Sequence, residues 1–194
     1  IVVDRTVKGE FENYQTPEGE VPATQLDIPW ETCYSLYGWG WRKGATLKSS
    51  KKVLAVLIEV VAKGGNFLLG VGPKPDGTIE EQAVDRVTTI GKWLDKNGEA
   101  IYATVNARKY NDGNVWFTQS KDGKKMYAMY ALKEDDPEVP AVIEWTGNIP
   151  AGKKVTLLST GKRVKCEVDG DRVKVYLPKH VDRTESLAFS FGIK

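Results

Sequence analysis

The pattern of apolar residues changes near residue 102, and that change limits the fold more than any other feature of the chain. Upstream, Ser49-Ser50 offers helix caps, and Val53 to Ala62 is apolar apart from Glu59, ending at Gly64-Gly65. This predicts a helix buried over most of its circumference. Asn66 to Gly72 follows as a fully buried strand, stopped by Pro73 and Pro75-Asp76-Gly77. Thr78 and Glu81 form a capping box for a second helix. Its apolar positions Ala83, Val84, Val87, Ile90, Trp93 and Leu94 recur at helical spacing until Asn97-Gly98. Downstream, seven short runs at 115–118, 125–132, 141–145, 154–158, 164–168, 173–177 and 186–191 are separated by turns such as Asp122-Gly123, Thr160-Gly161 and Asp169-Gly170. Asp-Gly between alternating runs signals a hairpin, and so many short strands indicate an antiparallel sandwich. Helix, buried strand, helix is material for a parallel sheet covered by helices. The fold class is therefore α/β plus all-β, divided into residues 1–104 and 105–194.

The chain opens on Ile1-Val2-Val3 followed at once by Asp4-Arg5. That predicts a buried strand delivering polar residues at its end. Such a strand needs neighbours, and the expectation is that an N-terminal portion is missing. Residues 6–29 are polar and irregular, punctuated by Gly9, Pro17, Gly19, Pro22 and Pro29. An irregular stretch of this length is more often a functional loop than a spacer. Residues 30–36 suit a short strand, and Gly38, Gly40 and Gly44 break the aromatic segment after it.

Composition narrows the function classes. Twenty-eight basic and 26 acidic residues give a net charge of +2, which provides no field for nucleic acid or an anionic membrane. No apolar run reaches the ~20 residues a spanning helix needs. Cys33 and Cys166 lie far apart, match no metal or redox spacing, and are expected to be buried free thiols. The single histidine, His180, cannot build a zinc site alone. Gly70-Val71-Gly72 lacks the spacing of a dinucleotide loop. No metal and no organic cofactor is expected.

The residues that remain for chemistry are carboxylates, an arginine and aromatic rings. Glu18 lies in Tyr14-Gln15-Thr16-Pro17-Glu18, after the opening strand that carries Asp4 and Arg5. In parallel α/β barrels the active site gathers at C-terminal strand ends and the loops beyond them. Trp30-Glu31 and Tyr37-Gly38-Trp39-Gly40-Trp41 place rings near the ends of the same elements. Sugars stack their C–H faces on such rings while carboxylates and arginine take their hydroxyls. The combination suits carbohydrate better than a phosphate or an acyl group. On composition alone, Trp39 and Trp41 serve equally well as filling for a barrel mouth, and Glu18 as a solvated surface charge.

Several motifs then occur in one order. They are Val2-Val3-Asp4-Arg5, Tyr14 to Glu18, Pro29-Trp30-Glu31-Thr32-Cys33, Trp39-Gly40-Trp41, the long block Lys63-Gly64-Gly65-Asn66 to Asp76-Gly77, Gly91-Lys92-Trp93-Leu94 and Asn97 to Tyr102. In this the chain resembles the second half of the α-L-fucosidases, a family of glycoside hydrolases. The resemblance implies the C-terminal part of a (β/α) TIM-like barrel over 1–104, then a β-sandwich over 105–194. It implies a retaining exo-glycosidase acting on fucosylated glycans by double displacement, with the nucleophile Asp and the sugar-binding histidines upstream of Ile1. Retaining chemistry needs its two carboxyl groups about 5–5.5 Å apart.

By the same resemblance Arg5 contacts the sugar and the nucleophile, and Trp39 packs on the fucose methyl; Trp30 and Trp41, from the aromatic crowding, are the other substrate-binding candidates. The acid/base is Glu18 in some members and Glu31 in others. Glu18 is preferred here because its Thr-Pro-Glu loop is intact and a mobile loop suits a group that serves first as acid and then as base. Glu10, Glu12 and Glu20 are lesser candidates. Two other readings stay open: a related exo-glycosidase such as a galactosidase, and a carbohydrate-binding or structural fragment without turnover of its own. The missing half of the barrel would be the partner, and a periplasmic or secreted location suits a glycan-degrading family. Neither linkage preference nor oligomeric state is legible.

Overall fold

The computed structural model describes residues 3–4 and 10–193. Ile1, Val2 and Arg5 lie outside the described residues. The first part holds β1 (Val3–Asp4), β2 (Tyr14–Gln15), β3 (Glu31–Ser35), α1 (Ser50–Ala62), β4 (Asn66–Gly70) and α2 (Glu81–Asn97). β1 pairs in parallel with β2, and β3 in parallel with β4. Bridges from Gln15 to Trp30 and from Glu18 to Cys33 join the two pairs, again in parallel. The result is an open layer of parallel strands that does not close into a barrel among the described residues. The irregular loop expected over 6–29 is thus partly strand. Val3 is exposed rather than buried.

The Ser49 side chain caps α1 by accepting from the Lys52 N–H. At the other end Gly64, at φ +79°, and Gly65 return N–H groups to Val61 and Val60. Those two bonds stop the helix as a Schellman turn. Gly65 has a second duty, because a Cβ there would meet the Trp30 ring at 2.3 Å. Helix α2 departs from expectation at its start: Glu80 is the cap residue and makes no side-chain cap bond. The Thr78 hydroxyl and N–H both donate to Asp76 Oδ1 instead, so the Asx turn consumes the residue the capping box needed. Val84 and Val87, expected to be inside, are exposed. Nor is β4 fully buried. It has one strand neighbour and shows one face outward, leaving Leu68 50% exposed.

Eight antiparallel strands follow: β5 (Thr104–Asp112), β6 (Val115–Ser120), β7 (Lys125–Tyr130), β8 (Val142–Thr146), β9 (Val155–Leu157), β10 (Lys162–Asp169), β11 (Arg172–Tyr176) and β12 (Leu187–Gly192). Their hydrogen-bonded order is β5-β6-β7-β12-β9-β10-β11-β8. They curl around a core that includes Phe117, Trp145, Leu157, Val173 and Phe189. Side chains lace the two edges together. Lys109 on β5 donates to the Thr146 carbonyl and hydroxyl on β8, and Asp112 accepts from the Thr146 N–H and hydroxyl. Seven strands were expected. The eighth, β5, is polar and carries an irregularity between Asn106 and Asn111, so no apolar alternation announces it.

The outer wall of the sandwich rests on the helices. Leu54 and Ile58 of α1 and Trp93 of α2 share a buried cluster with Tyr127, Met129 and Ala188. Trp93 Nε1 donates to the Ser186 carbonyl at 2.6 Å. Cys33 and Cys166 form no disulfide among the described residues and are half-buried, not fully inside as expected. Burial pushes the Cys166 thiol pKa up. His180 is exposed, on a turn after β11.

Candidate active site

The strands run parallel, so their C-terminal ends lie on one side. Register places Glu18 beside Cys33 and Cys33 beside Leu68. One carboxylate, one thiol and one aliphatic side chain thus form a row from the bridge at Glu18 across β3 and β4. The Gly19 N–H donates to the Cys33 carbonyl at 2.8 Å, and the Cys33 N–H to the Pro17 carbonyl at 3.2 Å. Glu18 is therefore held beside the middle of β3, with a backbone bond on either side of it. It stands against an open cavity of ≈ 680 Å³ whose lining includes Cys33, Tyr37, Trp39, Lys48 and Leu68.

The aromatic turn after β3 is locked at its base. Lys48 Nζ donates to the Ser35 carbonyl at 2.6 Å and the Tyr37 carbonyl at 2.9 Å, and lies 4.7 Å from the Tyr34 ring centroid. Burial, with the nearby Lys52 charge, holds the Lys48 pKa below the ordinary lysine value. The Lys48 N–H pairs with the Leu36 carbonyl, and Arg86 donates to the Lys48 carbonyl. Tyr37 sends its hydroxyl to Glu80 Oε2 at 2.9 Å, and its pKa is raised, by burial first and by that bond second. Gly72 lets the turn approach closely, since a Cβ there would meet Trp41 N at 2.3 Å. On this base Trp39 is left 86% exposed beside the cavity.

The residues expected from sequence do not all meet. Glu18 and Trp39 share the cavity. Glu31 is half-buried at the opposite end of β3, in register with Asn66. Two residues along a strand separate it from Cys33, or about 7 Å. It is not part of the cavity lining. Trp30 is 1% exposed and packed over Gly65, so it presents no ring to solvent. Trp41 is half-buried beside the cluster around Leu36 and Val53. Its Nε1 finds no hydrogen-bond partner among the described residues. Glu10 and Glu20 are exposed and Glu12 is half-buried, and none of them lines the cavity. Sequence reasoning missed Lys48, which carries no signal beyond its place before the Ser49 cap, and Cys33 as a cavity residue. Among the described residues no group of three or more His, Cys, Asp or Glu could hold a metal ion.

A carboxylate and an exposed indole lining one cavity are residue types that can serve proton transfer to a leaving oxygen and contact with an apolar sugar face. A family model described as alpha-L-fucosidase matches residues 1–99. The chain belongs to the α-L-fucosidase family. The bovine tissue α-L-fucosidase is 33% identical over 181 residues, 89% of this chain and 38% of that enzyme. The human tissue α-L-fucosidase is 31% identical over 182 residues, with the same shares. This chain therefore spans about two fifths of those fucosidases. Among solved structures, α-L-fucosidase isoenzyme 1 from Paenibacillus thiaminolyticus superposes with a TM-score of 0.80 at 26% identity, covering 94% of this chain and 45% of that one. The Thermotoga maritima α-fucosidase in complex with fucose gives 0.76 at 26% identity, covering 97% and 44%.

Proposed function

We propose that this chain supplies the acid/base side of an α-L-fucosidase active site. The observation that carries the reading is the place of Glu18, bridged to Cys33 of β3 and sharing its cavity with Trp39. In the reaction, the Glu18 carboxylic acid gives its proton to the glycosidic oxygen as an upstream carboxylate attacks the anomeric carbon. The bond to the leaving oxygen breaks, and a fucosyl-enzyme forms. Glu18, now a carboxylate, takes a proton from water as that water attacks the same carbon, which restores both carboxyl groups and releases fucose with retained configuration. Trp39 offers its ring to the apolar side of the sugar, and Arg5 is assigned to the hydroxyl side. Glu31 is a structural carboxylate on this reading. The nucleophile and the rest of the barrel come from a region preceding residue 1. Residues 1–104 belong to the catalytic barrel and 105–194 form a separate sandwich domain.

The test is azide rescue in the complete enzyme that contains this chain. Glu18→Gln should lose turnover and regain it with azide, giving fucosyl azide from an activated aryl fucoside, because azide needs no general base. Rescue confined to Glu31→Gln would overturn the assignment. Activity on an aryl galactoside above that on the aryl fucoside would replace the substrate. The chain by itself should show no turnover, and fucoside hydrolysis by it alone would refute the need for an upstream half.

A further inference from the structure

The segment that leaves Glu18 is pinned first on β3 and then at points well away from it. The Glu20 carbonyl accepts from the fully buried Thr32 hydroxyl at 2.7 Å. Gln25 Nε2 donates to the carbonyls of Ala62, 3.3 Å away at the end of α1, and Ala107, 3.4 Å away on β5. At the centre is Lys63. It is 5% exposed, and lysines are rarely buried unless partnered. Its ammonium has three N–H donors and touches three separate parts of the molecule. Nζ donates to the Pro22 carbonyl at 2.7 Å and to Glu59 Oε1 at 2.6 Å, and lies 5.5 Å from the Trp116 ring centroid. Pro22 belongs to the segment after Glu18, Glu59 to α1, and Trp116 to β6 of the sandwich. Tyr110 of β5 stacks on the same indole. A cation over an indole face is attracted by the ring quadrupole, more strongly when water is excluded.

We propose that Lys63 is a positioning residue for the general acid, and that the sandwich acts on catalysis through it. The Trp116 face and Glu59 fix the ammonium, the ammonium fixes Pro22, and the path from Pro22 back to Gly19 sets where the Glu18 carboxyl stands. The inference rests on the reading of Glu18 as acid/base. A lysine that merely stabilised the end of α1 would, when replaced, weaken turnover of every fucoside alike. A lysine that works through the acid matters most where the leaving oxygen needs a proton.

The experiment compares kcat/KM on a methoxyphenyl fucoside, a poor leaving group, with that on a dinitrophenyl fucoside, which departs unprotonated. It uses the complete enzyme and the variants Lys63→Met, Gln25→Ala and Glu18→Gln. Lys63→Met keeps the apolar stem and removes the ammonium. It should lose about 10- to 100-fold on the methoxyphenyl substrate and no more than about threefold on the dinitrophenyl one. Glu18→Gln should show the same bias with a larger amplitude. An equal loss of Lys63→Met on both substrates, beside a biased Glu18→Gln, would overturn the positioning role and leave the acid assignment standing. An unbiased Glu18→Gln would overturn the acid assignment and the inference with it. If Lys63→Met fails to fold, the milder Gln25→Ala decides by the same ratio: a biased loss of a few-fold supports the role and an equal loss overturns it.

Discussion

Trp145, in the sandwich, is 2% exposed, stacked on Phe191 and edge-on to Phe117. Trp39, in the parallel layer, stands in solvent on a turn that Lys48 ties down. The same residue type is spent on cohesion in one region and displayed in the other. The sandwich closes on its own core and laces its edges through Lys109, Asp112 and Thr146. The first part leaves Leu68 of β4 and Val84 and Val87 of α2 uncovered. That part lines its cavity with strand residues and a turn held both by Lys48 bonds to backbone acceptors and by burial of Leu36 and Tyr37.

Truncating the two tryptophans breaks or sharpens that contrast most strongly. Trp145→Ala should cost about 3–5 kcal/mol in denaturant unfolding, the usual range for deleting a buried aromatic ring. Trp39→Ala should change stability by less than about 0.5 kcal/mol. In the complete enzyme it should weaken fucose binding about tenfold, equivalent to about 1.4 kcal/mol. Comparable stability losses from the two would erase the distinction. Next in size is Gly65→Ala, whose methyl must displace the Trp30 ring. A cost of about 1–3 kcal/mol is expected from such overpacking, read as a lowered Tm. Trp93→Phe tests the joint between the regions. It removes the bond from Trp93 Nε1 to the Ser186 carbonyl and should cost about 1–2 kcal/mol, since a buried acceptor is left unmet.

The smallest effect concerns pH. Bonds from the Thr146 hydroxyl, and then its N–H, hold the Asp112 pKa below its ordinary value of 3.8. A carboxylate with a depressed folded pKa contributes stability above the unfolded value and loses it as pH falls through the folded one. Asp112→Asn should therefore weaken the sandwich at neutral pH and flatten the decline in stability below about pH 4. An unchanged acid limb in urea titrations across that range would show that the edge lacing contributes little.

Much of this was legible from sequence because it depends on local signals. The Ser49 cap, the Gly64-Gly65 stop and the Asp-Gly hairpins each rest on a few adjacent residues. Strand β5 was missed because Asn106, Arg108, Lys109, Asn111 and Asp112 give it a polar face and an irregular register. The capping box failed because Asp76 competes for Thr78. Trp30 looked like a sugar platform, yet it fills the space Gly65 leaves. Loop mobility is one ground for preferring Glu18 in the sequence, whereas in the structure bonds to Cys33, Thr32 and Lys63 tie down its neighbours Pro17, Gly19, Glu20 and Pro22. Those contacts join residues up to 41 positions apart, which no local pattern encodes.

The central claim is that the carboxylate at the cavity, not the one at the far end of β3, serves as acid/base. Steady-state kcat/KM of Glu18→Gln and Glu31→Gln in the complete enzyme, on an aryl fucoside with a poor leaving group, tests it most directly. A fall of about 10²- to 10⁴-fold is expected for Glu18→Gln, and a fall below about tenfold for Glu31→Gln, which on this reading removes no group at the reacting bond. The reverse ordering would contradict it.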